Sequence, residues 1–153
     1  MANLSPSETE TFLEYFYRIE GSAEVLASYG EGAVPLLKEL FEQEFGLRGR
    51  TIKALCLIAN GPAREFILSN LNHPDNSVRA MIAIGLETWP DDLILDPLQQ
   101  LLDDQHPSVR RLALQAAEGR GLLELKDKIR SALDVEEDIE VMRQAEITFS
   151  NLE

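Results

Sequence analysis

Apolar residues recur three and four positions apart along almost the whole chain, and strict alternation over a strand length is absent. That spacing lays one apolar stripe along an α-helix and predicts an all-helical protein. Ser5-Pro6 reads as an N-cap with proline at the first helical position. Behind it Phe12, Tyr15, Phe16 and Ile19 form one stripe, closed by Gly21. A short helix is expected over about 22–29, then a Gly30-Glu31-Gly32 break, then a helix over about 33–45 with Leu36, Leu37, Leu40 and Phe41 inward. After a connector at 46–49, a helix over about 50–60 carries Ile52, Leu55, Ile58 and Ala59. Gly61-Pro62 stops it and starts another, over about 63–71. Five more are expected over about 76–88, 92–103, 107–118, 122–133 and 137–151. Nearly every break holds Gly, Pro or Asn, residues that end helices for backbone reasons.

The helices pair, and the pairs repeat. Ser77-Val78-Arg79 returns as Ser108-Val109-Arg110, an offset of 31 residues. At that offset Leu71 meets Leu102, Met81 meets Leu112 and Leu86 meets Ala117; Leu98 and Leu102 then meet Ile129 and Leu133. Toward the N-terminus the match loosens, as insertions and deletions in turns would make it do. No single pair can bury its stripe alone, so neighbouring pairs must stack. The expected fold class is therefore all-α, an α-α superhelix: a short α-solenoid of about four helical pairs. One domain over 1–153 is expected, with capping helices at 1–32, repeats at 33–134 and a capping helix at 135–153.

The segment DPLQQLLDDQHPSVRRLALQAAEGRG resembles a HEAT-like repeat, of the short type found in phycobilisome bilin-lyase subunits. Residues 76–104 and 107–134 carry the pattern of a Val-Arg opening, small and aliphatic residues, a loop and a Leu-rich helix. Residues 33–45 are similar to a second helix of such a unit, and residues 50–72 match less because no Val-Arg pair opens their first helix. The resemblance implies a module that binds other proteins. A minority of such arrays serve bilin attachment or the repair of alkylated DNA. It also implies that second helices line the concave face, where partners dock.

Composition narrows this further. The 153 residues hold 27 acidic against 14 basic side chains, a net charge of −13. Such a surface disfavours nucleic-acid phosphates and anionic lipid heads. One cysteine excludes an internal disulfide framework and multi-cysteine metal sites. MANLSPSETE carries no basic n-region or apolar core of a secretory signal, and Ala54 to Ala59 falls far short of the ~20 residues of a bilayer span. A soluble, reducing compartment, the cytoplasm, is the expectation. Neither metal nor cofactor is expected.

Catalytic constellations are scarce. Arg79 and Arg110 follow the inward Val in the first turn of a helix and recur with the repeat. They read as structural repeat arginines that pair with an acid or carbonyl of the adjacent unit, rather than as a phosphate clamp. His73 and His106 each precede proline at a unit boundary and suit turns or N-caps. Asp91-Asp92 suits a helix N-terminus, whereas Asp103-Asp104 ends a helix, where acids are unfavourable. Cys56 lies on the apolar side of its helix as a structural thiol. Gly119-Arg120-Gly121 reads as a C-cap. Tyr17, Tyr29 and Trp89 are either partly exposed anchors or, for Trp89, a plug between helices.

The charge pattern carries the functional expectation. A basic run, Arg48, Arg50, Lys53 and Arg64, interrupts acidic stretches on either side. On the second helices, opposite the apolar stripe, stand Glu39, Glu42, Glu65, Asp96, Gln99, Asp103 and Asp127. Lining a concave face, they would steer a basic protein partner. The competing reading is that they only keep the protein soluble. The expected function is a non-catalytic protein–protein interaction module, an adaptor, assembly factor or inhibitor, acting as a monomer or weak homo-oligomer. The alternatives are a bilin-lyase-like or chaperone-like subunit and a DNA alkylation-repair-like enzyme, the last opposed by the charge.

Overall fold

A computed structural model describes residues 3–18 and 21–152. Among these every regular element is helical, ten α-helices and three short 3-10 turns. The chain divides into two compact units, Met1–Ser69 and Asn70–Glu153.

The first unit opens with α1 (Pro6–Tyr17). Ser5 and Glu8 close a reciprocal capping box, the Ser5 N–H donating to Glu8 Oε2 at 2.8 Å. Phe12 and Phe16 are fully buried, Tyr15 is half-buried, and the expected stripe member Ile19 lies outside the described residues. The helix stops before Gly21, because Arg18 already adopts an extended conformation. α2 (Ala23–Ser28) is capped by Ser22, and a 3-10 turn leads to α3 (Val34–Gln43). Phe45, expected inside α3, falls in the next 3-10 turn and is 71% exposed.

α4 (Arg48–Ile58) packs against both α2 and α3, and α5 (Gly61–Ser69) packs against α4. Ile52, Leu55, Leu37, Phe41 and Ile67 form the core between them. The α4 terminator differs from expectation. Asn60 Oδ1 accepts the Ala63 N–H at 2.9 Å, so Asn60 caps α5 and Gly61-Pro62 become its first turn. The left-handed residue that ends α4 is therefore Ala59, at φ 48°.

The second unit holds α6 (Asn76–Leu86), α7 (Asp91–Leu102), α8 (Pro107–Arg120), α9 (Lys126–Leu133) and α10 (Ile139–Asn151). α6, α8 and α10 pack side by side, α7 lies against α6 and α8, and α9 lies against α10. Such serial packing of every second helix is what a helical-pair repeat requires. Val78, Ile82, Leu86, Ile94, Leu98, Val109, Ala113 and Ile129 fill the core. Pro97 sits inside α7, buried on its apolar side. It removes one backbone donor but does not end the helix. Gly121, at φ 63°, ends α8, which agrees with the C-cap expected there. Trp89 is 1% exposed and belongs to the core, a plug rather than an anchor.

Candidate interaction surface

The turns before α6, α8 and α10 share one construction. At the same place in each, a side chain accepts the backbone N–H two residues on. His73 Nδ1 takes Asp75 N at 3.0 Å, Asp104 Oδ1 takes His106 N at 2.8 Å, and Glu136 Oε1 takes Asp138 N at 2.9 Å. The repeat arginines bridge these turns. Arg79 donates from Nε and Nη2 to both Asp104 carboxylate oxygens, at 2.6 and 2.8 Å, and from Nη1 to the His73 carbonyl at 2.6 Å. Arg110 does the same one repeat later, to Glu136 at 2.8 and 2.6 Å and to the Asp104 carbonyl at 2.8 Å. Each guanidinium thus ties the turn before its own helix to the next turn along.

The electrostatics follow from this geometry. Burial pushes the Asp104 carboxyl up, but the Arg79 guanidinium and the His106 N–H outweigh it and hold the group below the usual carboxylate range. The Arg110 fork holds Glu136 below that range as well. Asp104 in turn raises the affinity of Arg79 for its proton. Asp103-Asp104 is thus a divided pair: Asp104 is inward and committed to Arg79, Asp103 outward and exposed.

All seven expected contact residues are exposed: Glu39, Glu42 and Glu65 in the first unit, Asp96, Gln99, Asp103 and Asp127 in the second. Asp96 and Gln99 follow one another at helical spacing along a single face of α7, and Asp103 is the C-cap residue that follows the helix. Asp103 and Asp127 are brought together as walls of one open hollow of about 350 Å³. Lys128 sits beside them, its ammonium paired with Asp103. In the first unit Glu39 accepts from Gln43 at 3.0 Å.

The basic run turns out to be largely spent on its own unit. Arg48 donates to the Phe41 carbonyl at 2.9 Å and lies over the Phe45 ring. Arg50 holds the Phe16 carbonyl and, at 2.9 Å, that of Arg18, and Lys53 pairs with Glu24 at 2.7 Å. Cys56 is fully buried and its thiol is pushed up to about 12 by burial, so no thiolate is available near neutral pH. His106 bonds Ser108 Oγ at 2.7 Å. Tyr17 is exposed and donates to Glu44 at 2.8 Å, while Tyr29 stands edge-on to Phe12. Among the described residues no group of three or more His, Cys, Asp or Glu could hold a metal ion, and no helix is long and apolar enough to cross a membrane.

Of two further acids, Glu136 carried no signal in the periodicity, whereas Glu118 falls 31 residues after Glu87, at the repeat offset. Glu136 is reached only by placing it one repeat beyond Asp104, in a stretch where the Val-Arg motif has lapsed. Glu118 gathers Gln144 at 2.9 Å and Thr148 at 3.3 Å, joining α8 to α10.

Residues 64–149 match the model of the HEAT repeats family. The chain belongs to that family. The match takes in both Val-Arg helices and the whole arginine-bridged row of turns. It stops short of the N-terminal helices, where the repeat also loosens in the sequence. HEAT repeats commonly mediate protein–protein interaction and are generally non-catalytic. A search of curated proteins gave no match.

Proposed function

We propose that this HEAT repeat protein is a non-catalytic module, an adaptor, assembly factor or inhibitor, that docks a basic protein on the acidic faces of its second helices. The observation that carries the reading is the state of the seven side chains named above. They are exposed carboxylates and one amide, while Arg48, Arg50 and Lys53 of the basic run are bound to neighbours in their own unit. The outward field of these helices is left negative, which raises the encounter rate with a positive partner. Nothing comparable supports a bilin-lyase-like role, since Cys56 offers no accessible nucleophile.

The test begins with a partner identified by cross-linking in the source cells. Its association rate with the purified protein should fall steeply as ionic strength rises, because exposed charges are screened within about 10 Å at 0.1 M salt. Replacing Glu65, Asp96 and Asp103 together by Lys should slow association by at least about tenfold at low salt. A partner that associates at the same rate with the reversed protein disposes of the reading.

A further inference from the structure

Asn60 alone among the six asparagines of the chain precedes glycine; Asn3, Asn70, Asn72, Asn76 and Asn151 precede larger residues. The fold holds the Asn60-Gly61 pair at the corner between α4 and α5, directly after the left-handed Ala59. Three features of that corner bear on one bond, from the Asn60 side-chain carbonyl carbon to Nδ2. Oδ1 accepts the Ala63 N–H at 2.9 Å, so a donor and the positive end of α5 both draw electron density toward that oxygen. Nδ2 is buried with no hydrogen-bond partner among the described residues, so its departure breaks no hydrogen bond. Gly61 is exposed, and the space where a Cβ would stand beside its backbone nitrogen is open. As the first residue of α5 it has no intrahelical acceptor for its N–H. The hydrogen bond that caps the helix therefore also polarises a carbonyl next to an unhindered nucleophile.

We propose that Asn60 is a site of intramolecular deamidation in the folded protein. The Gly61 nitrogen gives its proton to hydroxide and attacks the Asn60 side-chain carbonyl carbon. Negative charge gathers on Oδ1, where the Ala63 N–H meets it. The bond to Nδ2 then breaks, and Nδ2 takes a proton from water and leaves as ammonia. Water opens the resulting five-membered succinimide at one of its two carbonyls, giving aspartate or isoaspartate. One water enters, one ammonia leaves, and nothing is oxidised or reduced. The two products act in opposite senses on α5. Aspartate keeps the capping oxygen and adds a negative charge at the helix N-terminus, where it is favourable. Isoaspartate routes the backbone through Cβ and Cγ, which removes the cap and loosens the α4–α5 corner. This chemistry is independent of the acidic-face reading, although α5 carries Glu65.

Mass spectrometry of the whole protein, aged warm at mildly alkaline pH and then digested with trypsin, tests it. Cleavage after Lys53 and Arg64 releases residues 54–64. That peptide should gain about 1 Da and separate into aspartate and isoaspartate forms before any peptide holding another asparagine changes. The folded protein should convert at least as fast as a synthetic peptide of residues 54–64, because the corner polarises the amide. Gly61→Ala should slow conversion about tenfold by hindering the attack. Asn60→Ser, which keeps a capping oxygen, should leave the mass of the peptide unchanged. Conversion slower in the folded protein than in the peptide shows that the cap shields the amide, and overturns the proposal. A rate unaltered by Gly61→Ala overturns it as well, since the nucleophile is then not the Gly61 nitrogen.

Discussion

Ala59 shows how one residue's duty is set by its neighbours. Asn60 is taken as the cap of α5, so the reversal at the end of α4 must be made one position earlier, by a residue with a Cβ at φ 48°. An L side chain in that region costs about 1–2 kcal/mol, against the ~0.5–1 kcal/mol that glycine loses in unfolded-state entropy. Ala59→Gly should therefore stabilise the protein by about 0.5–1 kcal/mol, read as a rise in the urea midpoint with an unchanged slope. A fall in the midpoint shows that the Cβ makes packing contacts worth more than the backbone strain. Arg79 presents the opposite case. It is 4% exposed and fully engaged, and its removal strands Asp104 beside the core. Arg79→Ala should cost about 3–5 kcal/mol, whereas Arg79→Met with Asp104→Leu should recover most of the loss. If the double variant is as unstable as the single one, the hydrogen bonds to the His73 carbonyl matter more than the stranded charge.

The element that distinguishes this protein is the turn between repeats rather than the helix. The helices were legible from apolar spacing and from Gly, Pro and Asn at the breaks, because burial of a stripe and backbone sterics are local properties. The role of Arg79 and Arg110 could be anticipated because the motif recurs at a fixed offset, and a recurring cation in a stacked array points toward its neighbour. The identity of the acceptors could not. Asp104 and Glu136 lie 25 and 26 residues downstream of their arginines, and only the packing of α6, α8 and α10 brings them near. Their pairing also makes the turns sensitive to acid. Both carboxyls are held below their ordinary values of 3.8 and 4.5 in the folded chain. The folded state then binds fewer protons than the unfolded state across the interval between the two pKa values. The stability so gained is fully present above the ordinary values and is lost as pH falls toward the folded ones. Amide protection factors, corrected for the intrinsic pH dependence of exchange, should fall in the turns at 103–106 and 134–138 as the pH is lowered through about 4.5 and below. Glu136→Gln should flatten that dependence in the second of these turns. Unchanged protection down to the foot of this range contradicts the lowered carboxyl values.

At the scale of the molecule, the net charge of −13 has two consequences that pull in different directions. It favours approach of a positive partner, and it makes the folded chain repel itself. The second consequence allows the function and the solubility of the acidic faces to be separated. Replacing Glu65, Asp96 and Asp103 by Lys takes the charge from −13 to −7, since each exchange removes one negative and adds one positive unit. All three positions are exposed. Among the described residues, the one ion pair at these three positions is the half-exposed one between Asp103 and Lys128, whose loss costs no more than about 1 kcal/mol. The reversed protein should therefore melt at the same temperature as the parent or a few degrees higher at low salt, and the gap should close as salt screens the repulsion. If the acids serve only to keep the protein dispersed, the same variant should aggregate sooner and bind its partner as fast as before. If they serve to recruit a basic protein, it should stay folded and dispersed while association slows. Thermal unfolding, light scattering and association rates measured on one preparation across a salt series distinguish the two, because a loss of folding would lower the melting temperature and the association rate together while scattering rises.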